Sequence, residues 1–84
     1  MIPLYGFLEG DTLGLLVLAD EEDTMTVVAE KLQSSAAVRV RPRAGLRVRF
    51  QGQLLDPSAT VAGAGLAPLD RIDVVVGEPR GEGR

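Results

Sequence analysis

An α+β domain, with a mixed five-stranded sheet packed on one helix, is what this sequence predicts, and three features carry the prediction. Two apolar runs joined by a short glycine-containing connector open the chain, a stretch with apolar residues spaced by three and four follows, and an alternating segment and a last apolar run close it. At 84 residues there is room for one domain and one modest core, since a domain of this size buries only about 60 to 65% of its unfolded surface. Apolar residues make up 45% and charged residues 25% of the chain, the balance of a soluble globular protein. Cysteine is absent, which excludes disulfides, zinc ribbons and thiol nucleophiles and leaves packing and backbone hydrogen bonds to hold the fold. A cytoplasmic protein is expected.

The elements follow in order. Ile2 to Leu8 and Leu13 to Ala19, joined through Glu9-Gly10-Asp11-Thr12, read as two strands of a hairpin. Met25, Val28, Ala29, Leu32 and Ala36 then mark one face of a helix over about residues 24 to 36. Thr24 suits its N-cap, and the acidic run Asp20 to Asp23 complements the positive end of its dipole. Val38 to Gly45, with Pro42 inside, reads as an irregular connection. Leu46, Val48 and Phe50 alternate with Arg47, Arg49 and Gln51 as a strand with one buried and one solvated face, so that Arg47 and Arg49 point outward together. Gly52 turns this strand into a short one around Leu54-Leu55. Asp56-Pro57-Ser58 and the small-residue run Ala59 to Leu66 form a long turn region with one 3₁₀ turn, and Arg71 to Val76 forms the last strand. The predicted domain covers residues 1–76, and residues 77–84, without an apolar anchor, form a flexible tail.

Strand, strand, helix, strand, short strand, strand is the β-grasp order, in which the sheet covers one helix with one face. The run Leu13 to Ala19 conflicts with that architecture, because it is apolar at both alternate sets of positions. With Leu13, Leu15 and Val17 facing the helix, Leu16 and Leu18 join Tyr5, Phe7 and Val75 on the open face. Side chains of this size cost roughly 1.5 to 3 kcal/mol each when left wet. A protein interface made of Tyr5, Phe7, Leu16, Leu18 and Val75, with Arg47 and Arg49 beside it, is the expectation; a tolerated edge strand is the plainer alternative.

Other chemistries are poorly supplied. Histidine and cysteine are both absent, leaving carboxylates, Lys31, Tyr5 and a few hydroxyls for proton transfer, so no catalytic residue is assigned. Counted from Asp20, a calcium loop would need glycine where Met25 stands and glutamate where Lys31 stands. Gly63-Ala64-Gly65 begins a phosphate-loop pattern that fails at Pro68. The arginines Arg39, Arg41, Arg43, Arg47 and Arg49 stand against an acidic balance of −3 and only three aromatic residues, which argues against nucleic acid and for either a solvated strand face or a patch that meets an acidic partner. The longest apolar run is far below the roughly 20 residues of a membrane span. No cofactor, metal or small-molecule site is expected in the chain.

Leu46-Arg-Val-Arg-Phe50-Gln-Gly52-Gln-Leu-Leu55-Asp-Pro, Thr60-Val61, Gly65-Leu66 and Asp70-Arg-Ile72-Asp-Val-Val-Val76 resemble the second half of ubiquitin-like proteins, and Asp23-Thr24-Met25 resembles their first half. Conjugated modifiers of that group need a terminal Gly-Gly, and nothing after Val76 offers one. A closer resemblance, carried by Asp23-Thr24-Met25, Val28-Ala29-Glu30-Lys31, Pro42-Arg43, Arg47-Val48-Arg49, Gly65-Leu66, Pro68 and Ile72-Asp73-Val74-Val75, is to the gamma subunit, or B component, of bacterial toluene monooxygenase hydroxylases. That resemblance implies a non-catalytic small subunit docked onto a large subunit whose diiron centre hydroxylates aromatic rings or epoxidises alkenes. This chain lacks the Glu-x-x-His pattern of such centres. The segment Gln33 to Gly45 is shorter than the family pattern, and a stand-alone ubiquitin-like adaptor with another protein partner is the alternative.

Overall fold

A computed structural model describes residues 1–11, 13–37 and 45–76. The elements are β1 (Ile2–Leu8), β2 (Gly14–Ala19), α1 (Met25–Ser35), β3 (Leu46–Phe50), β4 (Gln53–Leu54), α2 (Val61–Ala64) and β5 (Arg71–Val76). The sheet order is β2-β1-β5-β3-β4. β1 and β5 run parallel at the centre, and the other neighbours are antiparallel. This is the mixed five-stranded β-grasp sheet with one long helix. The irregular connection expected before β3, its arginines Arg39, Arg41 and Arg43, and the tail at 77–84 lie outside the described residues.

Alternation decides which side of each strand meets α1. Leu4, Gly6 and Leu8 of β1, Val17 and Ala19 of β2, Val48 of β3, and Ile72 and Val74 of β5 are all buried. Met25, Val28, Ala29 and Leu32 of α1 close over them. No polar or charged side chain is buried among the described residues, so the interior rests on apolar area, at roughly 1.5 to 3 kcal/mol per fully buried side chain of valine to methionine size. Gly6 contributes by lacking a side chain: a Cβ there would stand 3.0 Å from Leu32 Cδ2 and 3.1 Å from Cδ1.

The helix starts as its cap predicts, with the Val27 amide donating to Thr24 Oγ1 at 3.3 Å. Thr60 repeats the device for α2, accepting from Gly63 N at 2.9 Å. The two caps also pair with each other as an antiparallel bridge, through Met25 N to Ala59 O at 2.8 Å and Val61 N to Asp23 O at 2.8 Å. α2 is a single α-turn where a 3₁₀ turn was expected. Gly65, at φ 76°, ends it in the left-handed region, and the buried Leu66 donates its amide to Val61 O. Gln51 and Gly52, at φ 54° and 83°, supply the two positive φ angles of a type I′ turn between β3 and β4.

Two expectations need correction. Leu13 does not face the helix: β2 begins at Gly14, and Leu13 is 51% exposed with its amide turned to Asp11 Oδ1 at 3.3 Å. The short side-chain turn within the connector takes the backbone donor that a longer ladder would have used. The acidic run also does more than face the helix dipole. Asp23 Oδ2 accepts from Lys31 Nζ at 2.7 Å and from Asp20 N at 3.0 Å, while Lys31 Nζ also donates to Leu18 O at 3.1 Å. One cation therefore ties the entry loop and the end of β2 to α1.

Lys31, and after it the Asp20 amide, holds the Asp23 carboxyl below its ordinary range. A depressed carboxylate stabilises the fold above the unfolded aspartate value, near 3.9, and that contribution disappears as pH falls through the lower folded value. Asp23→Asn is expected to flatten the acid limb of stability in urea titrations, by less than about 1 kcal/mol because the pair is partly exposed. Gly6→Val is expected to cost about 1 to 3 kcal/mol by overpacking against Leu32, read as a lower urea midpoint with an unchanged slope.

Candidate functional site

Among the described residues, no layer covers the side of the sheet away from α1, and the strand registers fix what it displays. Residues paired across strands share a face, so rows can be read across the sheet. Leu18 stands beside Pro3; Leu16 beside Tyr5 and then Arg71; Gly14 beside Phe7, Asp73, Arg49 and Leu54; and Val75 beside Arg47. The face is divided. Its β2–β1 side is apolar, and its β5–β3 side carries Arg71, Asp73, Arg49 and Arg47.

Exposure is greatest at the β2 edge. Leu16 is 60% and Leu18 57% exposed, and Tyr5 is 42% exposed. Phe7 and Val75 lie on the same face but are half-buried. Phe7 is sheltered from within the chain: Tyr5 meets it edge-on with ring centroids 5.0 Å apart, and the Arg71 guanidinium lies 4.1 Å from its ring centroid. Arg71 Nη2 also donates to Asp73 Oδ1 at 3.2 Å. The rings spread over Gly14, where a Cβ would come within 2.7 Å of Phe7 Cζ and 2.8 Å of Tyr5 Cζ. That glycine is the seat of the aromatic pair.

The two arginines of β3 behave differently. Arg49 is exposed. Arg47 is half-buried and turns along the sheet, its Nη2 donating to Leu55 O at 2.9 Å, while its buried Nε has no hydrogen-bond partner among the described residues. Its charge also helps to keep the Asp56 carboxyl low, after the larger effect of the Ser58 amide and hydroxyl. Arg47 thus fastens the segment after β4 and does not project outward beside Arg49. The reason is the nearby carbonyl, a strong acceptor within reach of a half-desolvated guanidinium. Sequence reasoning missed Arg71 and Asp73; the signal was the alternation of Arg71, Asp73 and Val75 with Ile72, Val74 and Val76.

Among the described residues, no three Asp, Glu, His or Cys side chains come together to hold a metal, and no helix is long and apolar enough to cross a membrane. With α1 on one side of its sheet and a two-part surface on the other, the chain is a ubiquitin-like domain. The same architecture occurs in the ubiquitin of Caldiarchaeum subterraneum, with a TM-score of 0.74 over 92% of this chain and 94% of that one, at 17% identity.

A narrower relationship lies in the sequence. The chain belongs to the family of toluene-4-monooxygenase system protein B (TmoB), which it matches over residues 1–76. It is 40% identical over 80 residues to the hydroxylase component subunit gamma of the toluene-4-monooxygenase system of Ectopseudomonas mendocina, covering 90% of this chain and 95% of that one. A chain in the solved toluene 4 monooxygenase HD complex with the inhibitor 4-bromobenzoate superposes with a TM-score of 0.84 at 39% identity, covering 90% of this chain and 98% of that chain.

Tyr5 is the only tyrosine and tryptophan is absent, so near-ultraviolet dichroism above the phenylalanine bands reports on Tyr5. Gly14→Ala is expected to change that signal by displacing the two rings while leaving the far-ultraviolet spectrum of the folded domain in place.

Proposed function

We propose that this chain is the gamma-type small subunit of a bacterial multicomponent aromatic or alkene monooxygenase hydroxylase, acting in the cytoplasm and contributing no catalytic group. The observation that carries the reading is the near full-length match, at 40% identity, to a hydroxylase subunit gamma. The architecture supports an accessory role in a specific way. A diiron centre needs clustered carboxylate and imidazole donors, and this chain contains no histidine. The iron therefore belongs to the large subunit, and the small subunit acts by docking against it.

The docking surface is the open face. Tyr5, Phe7, Leu16, Leu18 and Val75 give it apolar area, and Arg49 borders it, while Arg47 is held back by the Leu55 carbonyl. Exposed leucines at 60% and 57% are a stability cost in water and a source of affinity when covered. The cost falls on the free chain, and its recovery on assembly favours the complex.

Leu16→Asp and Leu18→Asp test the surface, since each puts a carboxylate into an apolar contact without touching the core. Both variants are expected to keep the far-ultraviolet spectrum and urea midpoint of the parent, yet to be lost from the hydroxylase when co-expressed tagged large subunit is purified. Retention of both in the complex would place the contact elsewhere. A parent chain that never copurifies would favour the stand-alone adaptor.

A further inference from the structure

We infer that the free chain pairs with a second copy of itself along the β2 edge, strand against antiparallel strand, so that the two sheets continue into one another across a two-fold axis at Leu16. The inference concerns the chain before it meets any other protein and is independent of the subunit reading above. Its basis is the direction in which the β2 backbone points. Tyr5, which stands opposite Leu16, donates its amide to Asp70 O at 2.9 Å; Pro3, which stands opposite Leu18, has no amide and accepts from Leu69 N at 2.7 Å. Both residues of β1 therefore turn their backbone groups away from β2, and the pairs they form are the non-hydrogen-bonded ones of an antiparallel ladder. The amides and carbonyls of Gly14, Leu16 and Leu18 consequently point outward, where β2 ends the sheet. The Lys31 ammonium, 3.1 Å from Leu18 O, sits on that outward side.

A second copy fits this edge in one register. Only an axis through Leu16 matches every outward residue of one strand with an outward residue of the other: Leu16 opposite Leu16, and Gly14 opposite Leu18 on each side, with about six hydrogen bonds in all. The Leu18 carbonyl has two lone pairs, and Lys31 takes one. The side chains agree with the backbone. On the open face the axis row reads Tyr5, Leu16, Leu16, Tyr5 across the two copies, which covers the exposed Leu16 with its own counterpart. The exposed Leu18 comes to stand opposite Gly14 of the second copy, a position without a side chain that is flanked by the Tyr5 and Phe7 rings. β2 holds no charged residue or proline to oppose the approach, and the acidic run begins beyond Ala19. The β5 strands of the two copies, with Arg71 and Asp73, are five strand spacings apart, about 24 Å and well past the Debye length of roughly 8 Å at physiological salt. Three paired rows make a contact below the roughly 1,200 Å² of stable complexes, so the dimer is weak and depends on concentration.

Cysteine is absent from the chain, so single-cysteine variants of the full chain report the register directly. Leu16→Cys puts two thiols on paired Cα atoms about 5.5 Å apart, within the span of a disulfide, whereas Leu18→Cys puts them four residues out of register, about 14 Å apart. Under mild oxidation Leu16→Cys should form the linked dimer on the order of tenfold faster than Leu18→Cys, and denaturing urea should remove the difference. In sedimentation the parent should be monomeric near about 10 μM and largely dimeric near about 1 mM. Leu16→Lys, with the urea midpoint of the parent, should stay monomeric throughout. A parent that remains monomeric at the upper concentration overturns the inference, and so does Leu18→Cys linking as fast as Leu16→Cys, or Leu16→Lys dimerising like the parent. Each of those outcomes leaves the subunit reading in place, because that reading is tested by copurification with the large subunit.

Discussion

Leu32 of α1 rests on the bare backbone of Gly6 in β1, and the close approach allowed there seats the one long helix against the middle of the sheet. Because β1 lies next to β5 at the sheet centre, the apolar alternates of four strands converge beneath α1. The interior this creates is entirely apolar among the described residues. Its polar needs are met at the margins, where Thr24 and Thr60 cap two helix starts that hydrogen-bond to each other and Lys31 ties α1 to the entry loop and to β2. An 11-residue helix spans about 16 Å, enough to cover one side of this sheet. The opposite side is the remainder of the same arrangement, and its composition follows from strand parity.

That remainder is not uniformly exposed, and magnitudes show where the need for a cover is concentrated. An edge-on aromatic pair contributes roughly 0.5 to 1.5 kcal/mol beyond its area, and an exposed cation over a ring about 0.5 to 1 kcal/mol. Phe7 has both, through Tyr5 and Arg71. The rings in turn cover Gly14, so β1 and the start of β2 shelter one another. Leu16 and Leu18 have no such arrangement, and each forgoes roughly 1.5 to 3 kcal/mol relative to burial. The unmet apolar area therefore lies at the β2 edge, with a self-sheltered aromatic pair behind it and arginines beyond.

Most of this was legible in the sequence because it depends on short periods. The three-four spacing of Met25, Val28, Ala29 and Leu32 and the alternation of Leu46, Val48 and Phe50 leave little freedom in which side faces inward, and the double apolar parity of β2 announced that one set must face out. What was illegible depends on cross-strand register and on single acceptors. That Phe7 stands opposite Gly14 follows from the ladder between β1 and β2, whose end is decided by the Asp11 turn that also displaces Leu13. That Arg47 bends to Leu55 while Arg49 is exposed turns on one carbonyl. Arg71 went unnoticed because its role is played against a ring on a neighbouring strand, 64 positions earlier in the chain.

The β2 edge also carries a hazard of its own. That strand, Gly14 to Ala19, is a sheet edge with no charged residue or proline in it, and edges of that kind template association with other strands. One local guard is present, the Lys31 ammonium placed on the Leu18 carbonyl at 3.1 Å, which puts a charge at the end of the edge but leaves its middle, at Leu16, open.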